Sequence, residues 1–122
     1  MHASSAPTAP QWVHDMYAQV DAKRVDDYIG LFAPDAQLRF ASGPIVTGAQ
    51  EIAATLKRAD EGHEMRHTLL NCWESGGTTI VEFEVDYRYE DGRQVTFPAI
   101  TVLERPDGAI TSMRVYPAIP AE

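Results

Sequence analysis

The stretch Leu31–Gly48, LFAPDAQLRFASGPIVTG, turns a short helix into an extended strand and then into a second helix. Pro34 restricts the residue before it and ends the first of these helices. Beyond it Ala36, Leu38 and Phe40 alternate with Gln37 and Arg39, the period of a strand with one buried face. Gly43 and Pro44 close the strand. Thr47 followed by Gln50 fits a reciprocal capping box, so a helix is expected through Ile52 and Leu56 to about Asp60, with Gly62 releasing the chain afterwards.

Upstream, Pro10 opens a helix over about 11–22, whose apolar stripe is Trp12, Val13, Met16, Tyr17 and Val20. A shorter helix carries Val25, Tyr28, Ile29 and Phe32. Downstream, the pattern predicts strands at about 65–74, 78–89, 94–105 and 109–116, separated by the turn-like SGG, EDGR and PDG segments. In the second of these Val81, Phe83, Val85, Tyr87 and Tyr89 alternate with Glu82, Glu84, Asp86 and Arg88, so one face meets helices and the other meets water. The sum is an α+β domain, three N-terminal helices packed on a curved, mostly antiparallel sheet. It is expected to span 10–117, with 1–9 and 118–122 as loosely ordered tails.

A chain of 122 residues leaves room for one hydrophobic core and no separate cofactor domain. Ten basic against eighteen acidic residues, a formal charge of -8 and a pI near 4.8 work against nucleic-acid binding. Cys72 is the only cysteine, so no intrachain disulfide can form, and its apolar strand suits a buried small side chain. No segment has the length of apolar sequence needed to cross a bilayer, and MHASSAPTAP lacks the pattern of a secretory signal. A cytoplasmic, membrane-free location is the expectation.

LFAPDAQLRF, GPIVTGAQEI, RHTLLNCW, the hairpins of VEFEVDYRYEDGRQVTFPAITVLERPDG and the closing MRVYP together resemble the SnoaL-like branch of the NTF2-like superfamily, the cystatin-like α+β cone. The resemblance implies an apolar pocket between helices and concave sheet, and a homodimer. It also implies a range of activities, from ketosteroid isomerases, limonene-type epoxide hydrolases, dehydratases and polyketide cyclases to non-catalytic binders. Fold therefore does not select function. The isomerase pattern places its oxyanion-binding tyrosine near Met16, its basic aspartate near Phe40 and its second oxyanion acid near Thr101. None of these supplies the group that enolate chemistry requires.

Other side chains are candidates in their place. His67 opens the HTLLNCW strand beside the expected cavity, and a histidine there suits proton transfer. Tyr17 and Tyr28 are candidates to position a substrate oxygen. Trp12, Met16, Phe40, Asn71, Trp73, Phe83, Phe97, Thr101 and Met113 are expected to form the substrate-binding surface, with Asn71 and Trp73 on the same strand face as His67 and Leu69.

Asp35 reads as a turn acceptor, while Asp15 and Asp21 lie off the main helical stripe and are expected to be solvated. The epoxide hydrolases use aspartate, arginine and aspartate inside the pocket, whereas Asp86 and Arg88 share the outward face. Arg66 and Arg114 have no inward carboxylate partner. His63 and His67 lack a third ligand for a metal, and no phosphate loop, GxSxG elbow or nucleotide fingerprint is present. The expected function is cofactor-free acid–base catalysis, of isomerase, cyclase or dehydratase type, on a small hydrophobic metabolite. The alternatives are a binding protein or scaffold and an epoxide hydrolase. An outer patch of Thr96, Pro98, Ile100 and Val102 is expected to form the homodimer.

Overall fold

The computed structural model describes residues 8–119, and of the ends expected to be loosely ordered, 1–7 and 120–122 lie outside them. Helix α1 (Gln11–Asp21) and the single turn α2 (Val25–Tyr28) lead through a 3₁₀ turn at Ile29–Leu31 into β1 (Phe32–Phe40). The short β2 (Val46–Thr47) precedes α3 (Ala49–Ala59), and four long strands follow: β3 (His63–Ser75), β4 (Thr78–Tyr89), β5 (Gln94–Glu104) and β6 (Ile110–Pro117). The sheet order is β2-β1-β6-β5-β4-β3. All neighbours are antiparallel except β1 and β6, which run parallel. This is the expected α+β architecture, helices on one face of a mixed, mainly antiparallel sheet.

Strand parity decides the layers. Val81, Phe83 and Val85 of β4 and Phe97, Ala99, Thr101 and Leu103 of β5 are buried against Val13, Met16 and Tyr17 of α1 and Ile52 and Leu56 of α3. The alternate residues Thr96, Pro98 and Ile100 are exposed on the outer face, with Val102 half-buried beside them, as the alternation predicts.

Two local expectations need correction. Helix α3 has no capping box: Gly48 is its N-cap, at φ 99, with no side-chain cap. That conformation is cheap only for glycine, and it leaves Thr47 one residue too early, paired with Gln37 in β2. Pro34 does not end the second helix either. The helix stops at Tyr28 and the strand has begun by Phe32. Pro34 lies where the β1–β6 register shifts between Phe32 and Gln37, a place where its missing N–H costs no ladder bond.

A third departure matters for the site. Leu69 pairs with Phe83 but Asn71 pairs with Glu82, so Leu70 is an extra residue in β3. Such a bulge inverts the strand's facing beyond it. His67, Leu69 and Cys72 turn to the helices, while Asn71 and Trp73 turn to the outer face, Trp73 being 50% exposed.

Candidate functional site

Two cavities meet at the inner face of β3. The larger, about 410 Å³, lies between the helices and the sheet and is lined mostly by apolar side chains of β3, β4, β5 and β6. The smaller, about 360 Å³, opens between α1 and β3 and includes His14, Arg66 and Thr68. Tyr17, His67 and Phe83 border both. These three rings form a waist: the Tyr17 centroid lies 5.2 Å from His67 and 4.3 Å from Phe83, and His67 meets Phe83 edge-on at 5.1 Å.

His67 is held by Asp21, the last residue of α1. One carboxylate oxygen, Oδ1, lies 2.7 Å from His67 Nδ1, and the other, Oδ2, accepts the His67 backbone N–H at 2.9 Å. The side chains are only 15% and 25% exposed. A carboxylate oxygen accepts, so Nδ1 carries a proton, and in the neutral imidazole the lone pair is then on Nε2. This is the arrangement of an oriented base, a histidine steered by a carboxylate. Asp21, expected in water, was legible from one feature: it stands four residues after Tyr17 and eight after Val13, on the helix stripe that faces the sheet.

Tyr17 adds a donor. Its Oη is buried and has no well-formed hydrogen bond. Burial pushes the phenol far above its ordinary value, the adjoining Thr101 hydroxyl offsets this in part, and the charge of Asp21 adds to it. The phenol therefore stays protonated and able to donate to an oxygen in the cavity. Tyr28 is raised chiefly by burial and then by the charge of Asp60. It borders the larger cavity from the end of α2.

Of the expected binding surface, Phe40, Phe83, Phe97, Thr101 and Met113 do line the larger cavity. Four residues do not. Met16 is fully buried in the core, because a step of one residue along a helix rotates the side chain by about 100° and turns Tyr17 to the cavity in its place. Trp12 packs under the Arg105 guanidinium, 4.3 Å from its ring centroid. Asn71 donates to Glu82 Oε1 at 2.8 Å on the outer face, and Trp73 lies on that face too. The bulge at Leu70 accounts for both. Asp60 also borders the larger cavity and was missed; His63, weighed in the sequence only as a metal ligand, and Tyr87, read there only as an inner-face residue of its strand, border it too.

Asp86 is outward, as its alternation implies, and accepts from Thr96 across the strands. Arg114, which the sequence left without an inward carboxylate, pairs with Glu104 at 3.0 Å. Among the described residues lining the larger cavity there is no arginine, so the aspartate–arginine–aspartate set of the epoxide hydrolases is not assembled there. Among the described residues no group of three His, Cys, Asp or Glu side chains is placed to hold a metal ion, and no helix is long and apolar enough to cross a membrane. Burial raises the Cys72 thiol above its ordinary value, with Glu74 adding to the shift, which disfavours the reactive thiolate.

The cone of helices over sheet, with an apolar pocket inside, defines a class of domain. The chain belongs to the SnoaL-like domain family, whose description matches residues 13–113. No curated protein matches it. Among solved structures it is similar to a protein provisionally described as a SnoaL-like polyketide cyclase from Jannaschia sp. CCS1, at TM-score 0.81 and 18% identity over 88% of this chain and 83% of that one. It is similar to a protein of ketosteroid isomerase-like fold from Catenulispora acidiphila DSM 44928, in complex with trimethylamine, at TM-score 0.80 and 22% identity over 89% and 86%. An LEH-like epoxide hydrolase from M. tuberculosis aligns at TM-score 0.76 and 18% identity over 88% and 80%. These likenesses establish the fold.

Proposed function

We propose that this protein is a cofactor-free acid–base enzyme, of isomerase, cyclase or dehydratase type, that acts on a small hydrophobic metabolite in the larger cavity. The observation that carries this reading is the bidentate hold of Asp21 on His67 at the waist of the cavity. His67 Nε2 takes a proton from the ligand and returns it at another atom. Tyr17 donates a hydrogen bond to the oxygen on which charge develops, a role favoured by its buried Oη, which beside Thr101 makes no well-formed hydrogen bond. Phe83, Phe97 and Met113 exclude water from the reacting atoms, and Tyr28 closes the floor.

Native mass spectrometry on protein drawn gently from its producing cell, with His67→Ala alongside, tests the proposal. A bound metabolite converted by the wild type and retained unchanged by the variant supports it; conversion at equal rates by both refutes it. A metabolite held unaltered by both assigns the protein to the non-catalytic binders.

The same reading includes a homodimer through the outer sheet face. Ile100 and Tyr116 are neighbours across β5 and β6 on that face and remain 39% and 48% exposed, an apolar patch available to a second copy. Sedimentation equilibrium of the wild type and of Ile100→Lys checks it: a dimer that the substitution dissociates is the expected result, and a wild-type monomer at micromolar concentration refutes it.

A further inference from the structure

Where α3 ends and β3 begins, the lining of the larger cavity changes character. Asp60, the C-cap of α3, and His63, the first residue of β3, both border it. The Asp60 carboxylate makes no hydrogen bond or ion pair among the described residues. Lys23, the strongest of the basic charges that act on it, is paired with Glu64 at 3.3 Å. Burial raises the Asp60 pKa in spite of those charges, the mark of a carboxylate short of water and of partners.

The groups around this carboxylate are aromatic. His63 packs its ring on Tyr87, centroids 4.2 Å apart, and its Nε2 is buried without a partner. Tyr28 and Tyr87 border the same cavity, and the charge of Asp60 contributes to the raised pKa of both phenols, so both rings stand near it. No lysine or arginine is among the described residues that line the cavity. The charge that His67 can carry is matched by Asp21.

A carboxylate in such a lining needs a counter-charge as well as a hydrogen bond. A neutral hydroxyl supplies only the second. An ammonium supplies both: its N–H groups can donate to the Asp60 carboxylate and to the lone pair that His63 Nε2 carries in one neutral tautomer, and the faces of tyrosine rings attract a cation. Resting on the pocket reading above, we infer that this end of the cavity is an ammonium subsite and that the ligand is a small amine, its apolar body inside the cavity and its cationic nitrogen against Asp60, His63 and the rings of Tyr28 and Tyr87. Asp60 binds and orients this ligand; proton transfer stays with His67.

Calorimetric titration near neutral pH with 4-phenylbutylamine, 4-phenylbutan-1-ol and 4-phenylbutanoate, which share one hydrocarbon body, tests the inference. The amine is expected to bind the wild type at least about tenfold more tightly than the alcohol, and the carboxylate more weakly than either. Asp60→Asn is expected to cut the amine's advantage to about threefold or less while the alcohol binds within about twofold of its wild-type affinity, which also reports an intact pocket. Should the alcohol bind and the amine gain nothing over it, or the carboxylate bind as well as the amine, the inference falls while the apolar pocket stands. An amine advantage that survives Asp60→Asn, or a substitution that weakens amine and alcohol equally, overturns the assignment to Asp60. If none of the three compounds binds, the inference and the pocket reading fall together.

Discussion

Replacing Asp21 with Asn alters one atom and removes a charge, so it isolates what the carboxylate does for His67. In the native protein two donors end on this side chain, Nδ1 at 2.7 Å and the backbone N–H at 2.9 Å. A hydrogen bond to a charged group contributes about 1.5–3 kcal/mol, one between neutral groups about 0.5–1.5 kcal/mol. Asn keeps one acceptor, so one bond weakens by about 1 kcal/mol and the other donor faces an amide N–H. Leaving a partly buried donor unpaired costs about 1–3 kcal/mol; with Asp21 a quarter exposed, water recovers part of this. The expected net loss is about 2 kcal/mol, read by urea unfolding, or a drop in Tm of about 6–10 °C for a chain of this size. The imidazole ¹⁵N shifts of His67 are expected to show the Nδ1–H tautomer in the wild type and its loss in the variant. A double-mutant cycle with His67→Phe separates the ring contact from the backbone one and is expected to give a coupling of about 1 kcal/mol. A loss below about 0.5 kcal/mol with an unchanged tautomer would refute the view that Asp21 orients His67.

Further outcomes follow from the packing. A Cβ on Gly77 would lie 2.7 Å from the Pro106 Cα, so Gly77→Ala is expected to destabilise by about 1–3 kcal/mol in urea unfolding. Lys23 follows α1 at φ 62, a left-handed conformation that strains a residue with a Cβ; Lys23→Gly is expected to gain about 0.5 kcal/mol, seen as a higher urea midpoint. Asp60 has a folded-state pKa above its ordinary value of 3.8, so the folded protein binds the extra proton and stability falls as pH rises from near 3.8 through that raised value. Asp60→Asn is therefore expected to be more stable than wild type at pH 7 and to lose the advantage on acidification, as thermal melts across the pH range would show; equal melting temperatures throughout would contradict the shift.

The fold was legible because its signals are periodic. Val81, Phe83 and Val85 against Glu82, Glu84 and Asp86 put the inner face of β4 beyond doubt, and His67, Tyr17, Phe83, Phe97, Thr101 and Met113 reached the cavity as their patterns imply. Asn71 and Trp73 were misplaced because parity was carried through Leu70, and no proline or glycine at that point marks the bulge. Its cause is tertiary: β3 must pair with β4 on both sides of the extra residue. Asp21 and Asp60 were missed for a different reason. Each is the polar continuation of a buried stripe, Val13–Tyr17–Asp21 and Ile52–Leu56–Asp60, and reading only hydrophobic residues along such a stripe stops one turn short of the chemistry. Gly48, not Thr47, starts α3 because a backbone conformation outweighed a side-chain motif.

The waist of Tyr17, His67 and Phe83 has two sides, one toward the apolar interior and one toward the basin beside His14 and Arg66. On the acid–base reading, a proton lifted by His67 need not return to the same molecule as the same isotope, because the imidazole can trade it with the bath while the interior stays occupied. In heavy water, the ligand would then leave carrying deuterium at the atom that was re-protonated, and unreacted ligand would acquire label as well. A sealed pocket would pass the original hydrogen across intact.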